Sequence, residues 1–182
     1  MTAKTTHVAL LRGINVGGRN TLPMKRLAAM FEQAGCNNVR TYIASGNVLF
    51  TASPTLARRI PALVGADIRD EFDFEPPIVT RSAAQLDEIV EANPFLGTKA
   101  DEKMLHVVFL ADTPPATAVA KLDRQRSPPD EFAANGSEIY LHCPQGLART
   151  KLTNAWFDAT LGTVSTVRNW RTTRKLQEMA AG

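Results

Sequence analysis

VRTYIASGNVLF, from Val39 to Phe50, decides the fold. Two short runs of β-branched, aromatic and aliphatic residues flank Ser45-Gly46-Asn47, a strong hairpin signal. The chain then repeats the device, with FAANGSEIYLHC, from Phe132 to Cys143, turning at Asn135-Gly136-Ser137. Working outward from each hairpin gives the same order of elements twice. Before the first stands HVALLR (His7 to Arg12), a short apolar run of the kind covered on both faces. A helix opened by Pro23 follows, with Leu27, Met30, Phe31 and Ala34 as its stripe and Gly35 as its stop. After the hairpin come a helix from Pro54 to about Glu71, weakened by Pro61 and Gly65, a strand PPIVT (Pro76 to Thr80) and a helix from Ser82 to Ala92. In the second half LHVVFLA (Leu105 to Ala111) mirrors the first strand, histidine included, and a short helix follows Pro115. Beyond the second hairpin, Thr150 to Gly162 reads as a helix, Thr163 to Trp170 as a strand and TTRKLQEMAA as a closing helix. Two βαββαβ units, each followed by a helix, predict an α+β fold, a duplicated ferredoxin-like plait. The expected organisation is a first repeat over 1–93, a linker over 94–103 and a second repeat over 104–182, basic in its C-terminal half.

Composition places the chain among ordinary soluble domains, with 44% hydrophobic and 21% charged residues. MTAKTTHVAL lacks the apolar run of a signal peptide, and no segment reaches the roughly 20 apolar residues of a membrane span. Cys36 and Cys143 have no partner at a metal-like spacing, so they are expected as reduced, partly buried thiols of a cytoplasmic protein. The net charge is +3, but its distribution says more. Asp67 to Glu75 is acidic, whereas Arg149 to Lys175 sets Arg149, Lys151, Arg168, Arg171, Arg174 and Lys175 against Asp158 alone. A basic end suits an anionic partner, although solvated helix faces have the same composition.

The stretch least like filler is LLRGINVGGRNTLPM, Leu10 to Met24. Gly13-x4-Gly18-Arg19-Asn20 has the spacing of a phosphate-binding P-loop, in which glycines turn backbone amides toward an anion and a helix N-terminus adds its dipole. Asn20 stands where that motif needs a magnesium-binding hydroxyl, and no strand ends in the required Asp, which argues against a true P-loop NTPase. A looser anion site remains, drawn from Arg12, Gly13, Asn15, Gly17, Gly18, Arg19 and Asn20, with Ser45 and Asn47 of the hairpin beside it. The plain reading competes: asparagines and glycines that satisfy their own turns. The duplication favours the site, since GINVGGRNTL follows the first strand and only DTPPA follows its counterpart. A second candidate group is Lys151 and Asn154 at a helix start, with Arg168 and Asn169 beside Trp170; capping and packing are its plain alternatives.

Metal and nucleophile chemistry find no pattern. His7 and His106 occupy equivalent repeat positions, and the adjacent His142 and Cys143 point to opposite faces of a strand. There is no Cys-x2-Cys, His-Glu-x2-His or Gly-x-Ser-x-Gly, so no metal, cofactor or catalytic residue is assigned. The leading expectation is a protein binding an anionic or phosphorylated, nucleotide-like ligand. The alternatives are a nucleic-acid-binding module, with Trp170 and Tyr140 in the basic half but no RNA-recognition strand motif, and an enzyme of unknown reaction using Arg19, Asn15 and Lys151. Oligomeric state is not readable from the pattern.

LLRGINVGGRNTLPM, TYIASGNVLF, NPF, KLTN and VRNW, in this order, resemble a bacterial family of uncharacterised proteins, domain of unknown function 1697. The resemblance covers nearly the whole chain. It implies a compact bacterial cytoplasmic protein of similar length and implies no reaction.

Overall fold

The computed structural model describes residues 3–182; the first two residues of the segment read for a leader lie outside them. The first half contains β1 (Thr5–Leu11), α1 (Met24–Gln33), β2 (Asn37–Tyr42), β3 (Asn47–Ala52), α2 (Pro54–Phe72), β4 (Ile78–Ser82) and α3 (Ala83–Glu91). The second contains β5 (Leu105–Leu110), α4 (Ala116–Val119), β6 (Glu131–Asn135), β7 (Glu138–His142), α5 (Asn154–Leu161), β8 (Ser165–Asn169) and α6 (Trp170–Ala181). These form two four-stranded antiparallel sheets, ordered β2-β3-β1-β4 and β6-β7-β5-β8, an α+β arrangement consistent with a duplicated plait.

The duplication reaches the register. His7 stands opposite Ser82 and Val8 opposite Arg81; His106 stands opposite Asn169 and Val107 opposite Arg168. All four of these histidines and arginines are buried. Desolvation holds both imidazoles below their ordinary pKa, hence neutral near pH 7, and brings the Arg168 guanidinium down to about 10.

The chain divides into two compact units, Met1–Asp87 with Leu176–Gly182, and Glu88–Lys175. The divisions between these units fall within α3 and α6. Two bonds tie the last residues to the first unit: Arg40 Nη2 donates to Met179 O at 2.8 Å, and Gln177 Nε2 donates to Asp87 Oδ1 at 2.8 Å.

In the first unit α1 and α2 cover one face of the sheet, burying Leu27, Met30 and Phe31 against Ala9, Leu11, Val48 and Phe50. α2 runs unbroken through Pro61 and Gly65. An interior proline costs about 3 kcal/mol and a glycine about 1, but burying Ile60, Val64 and Ile68 returns about 1.5–3 kcal/mol each. Burial wins. Gly65 also leaves room for Glu75, whose Oε1 would lie 3.3 Å from an added Cβ.

In the second unit the helix after the first strand is a single turn, α4, where the first unit has the longer α1. Its core gathers Phe132, Trp156 and Phe157, with ring centroids 4.9–6.3 Å apart. α5 starts later than the apolar pattern predicts, because Thr153 acts as its cap: Oγ1 accepts from Trp156 N at 3.3 Å. α6 starts earlier than predicted, at Trp170, with Asn169 Oδ1 accepting from Thr172 N at 2.7 Å. No helix among the described residues is long and apolar enough to cross a membrane.

Candidate functional site

The segment between β1 and α1 is a miniature hairpin. Asn15 N donates to Asn20 O and Arg19 N to Val16 O, each at 3.1 Å, and Val16 bridges Arg19 across Gly17-Gly18. Both central residues have positive φ, 59° and 72°, the two-residue turn for which glycine is preferred. A Cβ on either would meet nothing within 4 Å, so these glycines serve backbone conformation and leave the tip open to solvent.

Asparagine side chains hold the loop in shape. Asn15, at φ 54°, accepts from Leu22 N at 2.8 Å and donates to Leu22 O at 3.0 Å and to Ala44 O at 2.9 Å. Asn20, at φ 50°, donates to Gly13 O at 3.1 Å. The hairpin between β2 and β3 packs beneath: Leu11 N donates to Gly46 O at 2.8 Å. A Cβ on Gly46, at φ +83°, would come 2.9 Å from Leu11 Cβ and 3.0 Å from Leu11 O. The buried Asn47 donates to Tyr42 O and to Ser45 Oγ, each at 3.1 Å.

The structure thus brings the two sequence motifs to one end of the first sheet and separates their members by task. Asn15, Asn20 and Asn47 brace backbone, and Ser45 accepts from Asn47. Gly17, Gly18 and Arg19 form the exposed tip, and the Arg19 guanidinium has no hydrogen bond or ion pair among the described residues. Arg12 leaves β1 half-buried, its N–H donated to Pro77 O at 3.0 Å, and Gly13 follows it exposed. The chain has no Asp or Glu before Glu32, and the segment around the loop carries Arg12, Arg19, Lys25 and Arg26, the last paired with Glu71 at 2.7 Å.

Two residues here escaped the sequence reading. Val16 is 64% exposed and Ile43 54%, and Ile43 adopts φ 49°. A β-branched residue at positive φ is a genuine outlier of the kind found at functional sites. Its signal was the misfit of isoleucine in a turn otherwise made of Ala44, Ser45 and Gly46. The Asn15–Ala44 bond sets the sequence neighbours Val16 and Ile43 at the same end of the sheet.

In the second unit the other candidates have hydrogen-bond partners within the fold. Lys151 N donates to Ser127 Oγ at 3.0 Å and its O accepts from Arg126 Nε at 2.9 Å, leaving its residue exposed. Asn154 Oδ1 accepts from Ser165 Oγ at 3.0 Å. Arg168 is buried, donating to Thr166 Oγ1 at 2.8 Å and Val167 O at 2.9 Å, and Asn169 caps α6. Cys36 and Cys143 are free and buried, with desolvation pushing each thiol up to about 11, far from nucleophilic. No cluster of three His, Cys, Asp or Glu among the described residues is placed to hold a metal ion.

No curated protein is significantly similar to this chain. Among solved structures, a conserved bacterial protein from Streptococcus pneumoniae is similar, with a TM-score of 0.74 over 98% of this chain and 99% of that one. The two share 21% identity, so the likeness is one of fold. The family described as protein of unknown function (DUF1697) matches residues 4–140, which include the glycine loop and both hairpins as far as Tyr140. With more than half of its length matched, the chain belongs to that family, DUF1697.

Proposed function

We propose that the protein binds an anionic, phosphorylated small molecule of nucleotide-like kind on the loop between β1 and α1. The observation that carries this reading is a tip of two positive-φ glycines and an unpaired, exposed Arg19, braced by Asn15 and Asn20, in a segment without a single acid. Successive amides in such turns form concave anion receptors, and an arginine adds a bidentate clamp. Exposed Val16 and Ile43 offer an apolar rim for a base or another flat group. The direct binders are then Gly17, Gly18 and Arg19, with the asparagines as supports. The strand order, with β1 and β5 central, supports reading each half as a ferredoxin-like plait. Two free, buried thiols fit a reducing, cytoplasmic setting.

A thermal-melt panel tests the proposal, using mononucleotides, dinucleotides, sugar phosphates, inorganic phosphate and a short RNA, beside Arg19→Ala. A ligand at 100 times its Kd adds about 2.7 kcal/mol, roughly 5 to 10 °C for a chain of this length. A rise with a phosphorylated compound that Arg19→Ala abolishes supports the site. A rise with RNA alone, falling steeply with salt, replaces it with the nucleic-acid reading. A rise undiminished in Arg19→Ala moves the ligand off the loop.

A further inference from the structure

Arg126 is held in place without a carboxylate to hold it. It lies in the irregular segment 120–130, which follows the single turn of α4 where the first unit has the longer α1. The residue is exposed, and an exposed arginine ordinarily samples many rotamers. Here two contacts fix it. Its guanidinium carbon lies 4.8 Å over the Trp156 ring, and its Nε donates to Lys151 O at 2.9 Å. The Nη1 and Nη2 groups make no bond, and Arg126 has no ion pair, among the described residues. A planar fork pinned by its face and its Nε keeps one edge of two donors open, which is the geometry that grips an oxyanion bidentately.

Other cations are gathered around that edge. Lys151 N donates to Ser127 Oγ at 3.0 Å, a second bond fastening the segment 124–127 to the segment 149–151. Arg124 reaches the same aromatic group: its guanidinium lies 5.8 Å over Phe132, whose ring centroid is 6.1 Å from that of Trp156. Arg124, Arg126, Arg149 and Lys151 are all exposed, and none has an ion pair among the described residues.

The carboxylates nearby are fewer. Asp123 is exposed, its Oδ1 accepting from Gln125 N at 2.8 Å, and the buried Asp130 accepts the Ser127 hydroxyl at 2.7 Å. Glu131 lies 3.2 Å from His142 Nδ1, on the face of β6 opposite Phe132. Asp158, two residues after Trp156, faces another side of α5 and accepts the Ser165 hydroxyl at 2.6 Å. With Asp123 and Asp130 counted at full charge, four cations face two anions, a surplus of two positive charges.

We propose that Arg126, with Arg124, Arg149 and Lys151 around it, forms an anion site in the second unit that takes a phosphate group. A phosphate carries up to two charges and three acceptor oxygens, which match that surplus and supply both the fork and its neighbours; a lone carboxylate does neither. Trp156 and the Lys151 carbonyl are positioning groups, which hold the fork before the ligand arrives. The site is separate from the loop between β1 and α1 and does not depend on it.

The test is an NMR titration of the full-length protein, read at the arginine Nε–H and backbone amide signals. Inorganic phosphate, pyrophosphate, a mononucleotide and a short single-stranded RNA are compared with acetate at equal ionic strength. Saturable shifts at Arg126 Nε–H and the Lys151 amide are expected with phosphate compounds and not with acetate. They persist in Arg19→Ala, which separates this site from the loop of the first unit. Arg126→Ala should weaken binding about tenfold or more, and Arg126→Lys, which keeps the charge and loses the fork, about fivefold. Saturation by phosphate or the mononucleotide supports a small ligand, and saturation by RNA alone supports the same site on a nucleic-acid strand. Equal shifts with acetate, undiminished affinity in Arg126→Lys, shifts that vanish in Arg19→Ala, or no saturation by any compound would overturn the proposal.

Discussion

Asn15 is the residue on which the geometry of the glycine loop depends, and replacing it has a calculable effect. Its side chain makes three main-chain bonds, at 2.8, 2.9 and 3.0 Å, two of them to Leu22 and one to Ala44. Each such bond is worth about 0.5–1.5 kcal/mol net, and the half-exposed setting favours the lower part of that range, giving about 2 kcal/mol in sum. Its φ of 54° adds a conformational penalty of about 1 kcal/mol for alanine that glycine escapes. Asn15→Ala should therefore destabilise by about 3 kcal/mol and Asn15→Gly by about 2, the former lowering the melting temperature by roughly 6 to 12 °C. Urea unfolding followed by circular dichroism, with the denaturant slope unchanged, measures both. A variant within about 0.5 kcal/mol of the wild type would show that the bonds are not made in solution. Equal costs for alanine and glycine would remove the φ argument alone.

Other consequences are as open to measurement. Gly46→Ala meets Leu11 at 2.9 Å and a φ of +83°, whereas Gly17→Ala meets open space at φ +59°. The first should cost about 2–4 kcal/mol and the second about 1, and a reversed order in chemical denaturation would contradict the packing beneath the loop. Burial lowers the pKa of His7 and His106 from the model-peptide 6.5, so the unfolded chain takes up protons first as the solution is acidified. Stability should be level above that pH and fall below it, and His7→Gln with His106→Gln should flatten the fall in a melting-temperature profile. Cys36 and Cys143, buried with thiols pushed up to about 11, should resist an aromatic disulfide reagent at pH 8 in the native protein and both react in denaturant. Fast labelling of either in the native state would contradict its burial.

Much of this fold is legible in the sequence because its cues are local and occur twice. The Asn135-Gly136-Ser137 turn and the apolar run from Leu105 place β5, β6 and β7 almost to the residue. Where periodicity erred, a cap intervened: Thr153 delays α5, and Asn169 starts α6 ahead of the apolar pattern. The shape of the loop after β1 is legible in the sequence, and the division of labour among its residues is not. Glycines at positive φ announce a shaped loop, yet nothing local tells an asparagine that bonds Ala44, far along the chain, from one that faces a ligand.

The most direct measurement of the central claim is an amide NMR titration of the full-length protein with inorganic phosphate and with a panel of mononucleotides. Saturable shifts are expected, led by Gly17, Gly18 and Arg19, small at Asn15 and Asn20 beyond their backbone coupling to the tip, and absent in Arg19→Ala. Shifts confined to other parts of the chain, or none at concentrations that saturate ordinary phosphate sites, would contradict it and leave the loop as a rigid corner between β1 and α1.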